Sequence, residues 1–150
     1  MRTRLLCLLL LLSASLIYAA CDEKLSTLSG PTPELEPRFA SIQANIFESS
    51  DTTGRQACTA CHTSVGRNPS GGLNLDHDVA YQNLVRVASR GKPGVMRVLP
   101  GDADSSYLIH KIAGAPDIAG RRMPTGGPPF LSDGQIFILR RWIATGARQD

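Results

Sequence analysis

The chain has 150 residues and a formal charge of +3, from 16 Lys and Arg against 13 Asp and Glu. That balance leaves no basic footprint for nucleic acid. Aromatic residues make up only 5% of the chain, and 14 Gly and 10 Pro mostly lie between its helical patterns, which predicts short elements, long loops and a core short of flat side chains.

The N-terminus reads as an export signal. Arg2 and Arg4 precede an apolar run from Leu5 to Leu12 that continues weakly through Ile17, and small Ala19 and Ala20 stand before Cys21. Ser13 and Ser15 interrupt the run, so residues 1–20 read as a cleaved secretory signal, not a spanning helix. Without Arg2 and Arg4 the basic count is 14 against 13 acids. Ile17-Tyr18-Ala19-Ala20-Cys21 resembles a lipobox in its alanines and cysteine and departs from it at Tyr18, where Leu is usual. Acylation of Cys21 would also remove an exposed thiol from an oxidising compartment. The alternative is ordinary cleavage nearby, with a dispensable cysteine. Residues 21–37 are polar and Pro-rich, suiting a tether to a membrane surface. Residues 38–150 then form one domain of ordinary size.

The first helix is expected from Pro37 to Glu48, with Phe39, Ile42, Ile46 and Phe47 on one stripe and Pro37 at its first position. Next comes Cys58-Thr59-Ala60-Cys61-His62. C-x-x-C-H is the attachment spacing for c-type haem: two thiols on one turn each add across a vinyl group, and the following imidazole lies against the iron. A thioredoxin-like motif would need a strand before it, whereas Gly54-Arg55-Gln56-Ala57 and Thr63-Ser64-Val65-Gly66 are loop-like. A zinc site needs a second ligand pair, and His77 and His110 stand alone. Haem attachment of this kind takes place outside the cytoplasm, which agrees with the export signal.

A second helix is expected from Asp76 or Asp78 to Ser89, with Val79, Leu84, Val85 and Ala88 apolar. A short third helix is capped by Asp104, turns Leu108 and Ile112 inward, and stops at Gly114. The last helix opens on a capping box, Ser132 with Gln135, and ends at Gly146; Ile136, Leu139 and Ile143 form its inner face, flanked by Phe137 and Trp142.

Four residues are candidates for a second axial ligand: Met96, Met123, His77 and His110. Met123 is preferred. It lies in Arg121-Arg122-Met123-Pro124-Thr125-Gly126-Gly127-Pro128-Pro129, where prolines and glycines can hold a sulfur close to a metal. A thioether is soft and uncharged and needs no proton removed. Met96 sits in an apolar stretch, and the two histidines read as solvent-facing.

These features resemble a class I cytochrome c over about residues 38–148, through the leading helix, the C-x-x-C-H, Met123-Pro124 and the final helix. More narrowly, Asn68-Pro69-Ser70-Gly71-Gly72-Leu73, Pro100-Gly101-Asp102 and the stretch from Leu131 through Ala147 look like the short single-haem domains of bacterial exported proteins. The resemblance implies an all-α cytochrome c fold of about four short helices with long loops around one covalent haem. It also implies first and last helices that cross beside the haem edge, and His62/Met123 iron. A loop carbonyl, with Pro69 as the candidate, would fix the imidazole. The expected function is one-electron transfer to and from redox partner proteins on the periplasmic side of a bacterial membrane, with no catalytic residues. Arg121 and Arg122 are candidates for steering an acidic partner. A haem sensor or enzyme subunit with an open or displaceable sixth iron position is the alternative.

Overall fold

The computed structural model describes residues 35–150. The expected signal at 1–20, Cys21 and most of the 21–37 tether lie outside the described residues. Helix α1, Phe39–Ile42, runs directly into a wider π-helical segment, Gln43–Phe47. Helices α2, Ala80–Leu84, α3, Tyr107–Ala113, and α4, Asp133–Ala144, follow. Two 3₁₀ turns, Cys58–Ala60 and Ser70–Gly72, punctuate the loops. The described residues form no strand, and their four helices with long connections are compatible with the all-α expectation. No helix among them is long and apolar enough to cross a membrane.

Helix α1 starts two residues later than expected because Arg38 is extended, with φ −121° and ψ 145°. Its first amides find partners far along the chain. The Phe39 N–H donates to Asp150 Oδ1 at 3.0 Å, and the Ala40 N–H donates to the Asp150 backbone oxygen at 2.9 Å. Two otherwise unpaired helix-start donors are thereby satisfied from outside the helix. The same ends meet through their aromatic rings: Phe39 lies 5.5 Å from Trp142 and 5.2 Å from Tyr81 between centroids. The Tyr81 hydroxyl donates to the Ala147 carbonyl, and the Trp142 indole N–H to the Arg148 carbonyl, each at 2.9 Å. Rings whose polar atoms are all partnered can be buried at little cost.

Helix α2 is much shorter than the expected Asp76–Ser89 span. After Leu84 the chain turns extended at Val85 (φ −80°, ψ 124°) and takes a positive φ of 60° at Arg86. Residues 85–89 then pair with 95–98. The Arg86 N–H donates to the Val98 carbonyl at 2.9 Å, the Ser89 N–H to Val95 at 2.9 Å, and the Arg97 N–H to Val87 at 2.7 Å. Backbone groups that a helix would have used are taken by this pairing, which suits the β-branched valines. Helix α3 also begins later than expected. Ser106 occupies the cap position without a side-chain cap bond, and Asp104 instead pairs with Arg140. Gly114 ends α3 in the left-handed conformation, φ 77°.

Helix α4 has the expected capping box: Ser132 Oγ accepts from the Gln135 N–H at 3.2 Å, and Gln135 Oε1 accepts from the Ser132 N–H at 3.0 Å. Its inner face is rotated from the expected one. Leu139, Trp142 and Ile143 are buried, Ile136 is half-buried and Phe137 is exposed. Trp142 carries the largest apolar surface and so takes the interior.

Arg55 is wholly buried yet fully supplied with partners. Its Nε lies 3.0 Å from Asp51 Oδ2, Nη1 donates to the Gln56 carbonyl at 3.0 Å, and Nη2 donates to the Ser49 carbonyl at 3.1 Å. It thus gathers the loop that leads into Cys58. Burial acts to raise the Asp51 pKa, but hydrogen bonds from Thr53 and Arg55 outweigh it and hold the carboxyl below its ordinary value. Asp51→Asn would leave the guanidinium without an anion. Breaking a fully buried pair costs about 3–5 kcal/mol; Asp51 keeps 19% exposure, so a loss of about 2 kcal/mol is expected at pH 7 by denaturant unfolding. A carboxyl lowered in the folded state stabilises above the usual carboxylate range and loses that effect as pH falls through its folded value. The gap between wild type and variant should therefore close in acid. Ser132→Ala should cost about 1 kcal/mol by the same measurement, through loss of the cap.

Candidate functional site

The segment that carries the cysteines is a single tight turn. The carbonyl of Cys58 accepts from the Cys61 N–H at 3.2 Å and from the His62 N–H at 2.9 Å, while Ala57 accepts from Ala60 at 3.1 Å. This places Cys58 inward, in contact with the core, and leaves Cys61 exposed. Both thiols are free. Burial pushes the Cys58 pKa up, against the field of Arg55, so this sulfur behaves as a neutral thiol in an apolar wall.

His62 is held by the loop that follows it. Its carbonyl accepts from the Leu75 N–H at 2.8 Å, and Cys61 accepts from the Ser70 N–H at 3.1 Å, folding residues 63–75 back over the ring. Gly71 (φ 61°) and Gly72 (φ 63°) allow this return, a conformation that side chains with a Cβ rarely adopt. His62 Nδ1 then lies 3.2 Å from the Leu73 carbonyl. A carbonyl only accepts, so Nδ1 carries the proton and Nε2 keeps its lone pair. A carbonyl of this loop therefore faces the ring as expected, but it is that of Leu73 and not that of the candidate Pro69, which accepts from the Gly72 N–H at 2.9 Å and closes the 3₁₀ turn. Burial lowers the His62 pKa although its hydrogen bonding to the Leu73 and Ser70 carbonyls works the other way; the ring is biased to the neutral form in which an imidazole binds metals.

Met123 is held by helix α3. Its N–H donates to the Lys111 carbonyl at 2.9 Å, and Lys111 Nζ donates to the Ala119 carbonyl, also at 2.9 Å. Arg122 Nε donates to the Ile112 carbonyl at 2.7 Å, and its guanidinium stacks 4.1 Å from the Phe130 centroid. Gly114 permits this approach, since a Cβ there would meet Arg122 Cδ at 2.8 Å. The Met123 loop is therefore fixed by bonds to a helix, beyond whatever stiffness its prolines supply.

The three side chains converge on one space. A cavity of about 270 Å³ is lined by Ile46, Phe47, Leu73, Leu84, Leu108 and Leu139, together with Cys58, His62 and Met123. A second, of about 300 Å³, opens toward Cys61 and the 124–129 segment and shares Cys58, His62, Ile112, Met123 and Leu131 with the first. An apolar slot with a thiol pair, a neutral imidazole and a thioether on its walls suits an iron porphyrin, whose plane is apolar and whose iron takes nitrogen and sulfur ligands.

The other ligand candidates lie elsewhere. Met96 is 39% exposed and lines neither cavity. His77 is exposed beside Glu48, with Nδ1 3.3 Å from Oε1. His110 is tied to Asp117 at 3.1 Å and to the Asp104 carbonyl at 2.6 Å. Sequence reasoning missed the Leu73 carbonyl and three basic residues in the cavity wall, Arg90, Arg97 and Lys111. The four Gly and Pro residues at 66–72 signalled a turning loop, but nothing local signalled the cations.

Residues 58–126 match the family model described as Planctomycete cytochrome C. The matched stretch opens on Cys58, contains Met123, and leaves α1 and α4 outside it. No curated protein and no solved structure matches the chain. The family match supports a cytochrome c-like domain in this chain, and with it a haem-binding, electron-carrying role.

Proposed function

We propose that the protein is a single-haem c-type cytochrome that carries one electron at a time outside the cytoplasm. Cys58 and Cys61 would hold the haem through thioethers, and His62 and Met123 would supply nitrogen and sulfur to its iron. One observation carries this reading: Cys58, His62 and Met123 line the same two adjoining apolar cavities. When bound, haem supplies the reversible one-electron change between ferric and ferrous iron.

The chain's own residues set the conditions for that change. The Leu73 carbonyl keeps the proton on His62 Nδ1 and fixes the plane of the ring, so Nε2 is presented with its lone pair free. The Met123 sulfur offers a neutral ligand that needs no deprotonation and favours the ferrous state. Ile46, Phe47, Leu84 and Leu139 exclude water, and such an apolar shell shifts a redox potential by controlling dielectric and solvent access. Cys61, Thr125, Gly126 and Pro128 line the second cavity and are exposed, so a cofactor edge there would come near to a partner protein. Of the two arginines considered for steering, Arg122 is engaged with Ile112 and Phe130, which leaves exposed Arg121 as the freer charge toward an acidic partner. Export by residues 1–20 and acylation of Cys21, with 21–37 as a tether, would place the domain at the periplasmic face of a membrane.

A holoprotein made in a host competent for cytochrome maturation should keep its colour in the protein phase after extraction with acidified acetone. A colourless product, or pigment lost to the solvent, contradicts thioether attachment. The oxidised spectrum should show the weak far-red sulfur-to-iron band, and carbon monoxide should leave the reduced spectrum unchanged. Rapid carbon monoxide binding would favour a sensor or enzyme with a displaceable sixth ligand. Met123→Ala should abolish the far-red band and lower the potential by on the order of 0.1 V, within the ~0.8 V over which axial ligands act. Met96→Ala should change neither, and loss of the band in that variant would reverse the ligand assignment.

A further inference from the structure

Two arginines are buried in this domain, and their surroundings differ. Arg55 is 1% exposed and Arg97 7%. Arg55 has Asp51 at 3.0 Å. Arg97 has carbonyls alone: Nη1 donates to Asn83 at 2.7 Å and Nη2 to Gly72 at 2.9 Å. Among the described residues no carboxylate pairs with Arg97, nor with its neighbours Arg90 and Lys111. All three line the 270 Å³ cavity beside Ser70, Gly71 and Ser89, and no acidic side chain lines it. Burial and the nearby charge of Arg90 both push the Arg97 pKa down.

A buried cation without an anion is costly, and carbonyl dipoles compensate only part of the lost hydration. Arg97 is the buried one; Lys111 is half-buried and donates from Nζ to the Ala119 and Arg121 carbonyls, and Arg90 is exposed. A buried guanidinium without an anion, with two further cations on the same wall of a largely apolar slot, marks a place for a ligand that is apolar over most of its surface and anionic at one edge. Porphyrin of the haem type has that shape of charge, with two propionate carboxylates on the same side of the ring. The inference rests on the haem reading above and adds to it the orientation of the cofactor within the slot.

We propose that Arg97, supported by Arg90 and Lys111, receives the propionate carboxylates of the haem, and that this pairing raises the reduction potential. A positive charge near the iron favours the reduced state, which carries one positive charge fewer. A guanidinium held from behind by two carbonyls is also preorganised, because its remaining donors can face a carboxylate without reordering the side chain.

The test uses mature holoprotein. Arg97→Gln should still attach haem and keep the far-red sulfur-to-iron band, yet show a lower reduction potential than wild type. Arg97→Lys, which keeps the charge, should recover most of the difference. Arg141→Gln, which removes an exposed charge on α4, should stay at the wild-type potential. A wild-type potential in Arg97→Gln with the band intact would overturn the proposal and leave Arg97 as a brace for the Asn83 and Gly72 carbonyls. If Arg97→Gln does not accumulate, resonance Raman spectra of wild type, Arg97→Lys and Arg90→Gln decide the matter. A propionate bending band that moves in both variants supports the pairing; a band that stays fixed in both overturns it. A colourless wild-type product would instead overturn the haem reading, and this inference with it.

Discussion

The site depends on one hydrogen bond, from His62 Nδ1 to the Leu73 carbonyl. An imidazole binds a metal through a bare nitrogen, and an acceptor for the N–H on the other nitrogen fixes which one is bare and where it points. Leu73 can serve because the loop from Thr63 returns onto the ring, with Ser70 bonded to the Cys61 carbonyl and Leu75 to the His62 carbonyl. The positive φ values at Gly71 and Gly72 make the return possible. The chemistry of the ring is thus set by a backbone carbonyl eleven residues downstream.

The rest of the fold serves to bring two loops face to face. The Cys58 turn is anchored through Arg55, which collects carbonyls from Ser49 and Gln56 and the Asp51 carboxylate. The Met123 loop is anchored through Lys111, Ile112 and Phe130 on and beyond α3. Helix α4 and the aromatic group of Phe39, Tyr81 and Trp142 form the frame against which both loops rest. A cofactor filling the slot would supply apolar surface that the chain itself does not.

Charge divides along the same lines. Arg55 has its counter-ion within the protein and works as a structural tie. Arg97 has none, and it faces the slot together with Arg90 and Lys111. One wall of the slot is therefore basic, while the adjoining cavity is lined by Ala57, Cys61 and prolines of the 124–129 segment. A cofactor with one charged edge and one apolar edge would be oriented by this asymmetry.

Much of this was legible from residue type and spacing. C-x-x-C-H fixes a turn with its own hydrogen bonds, Ser132 with Gln135 fixes a helix start, and Gly114 fixes a helix end, because each works through atoms only a few residues apart. Local pattern failed where distant segments competed for the same backbone. Val85 to Ser89 read as helix until residues 95–98 claimed their amides, and Trp142 rather than Ile136 took the interior because Phe39 and Arg148 were there to receive it. Asp104, a good cap by type, was drawn to Arg140. By itself the sequence supplied the candidate groups for a porphyrin: a thiol pair and an imidazole in one motif, and a thioether preferred among four possible second ligands. Only the tertiary structure decided which carbonyl orients the imidazole and which cations stand without an anion, since both depend on contacts between segments that no short-range spacing encodes.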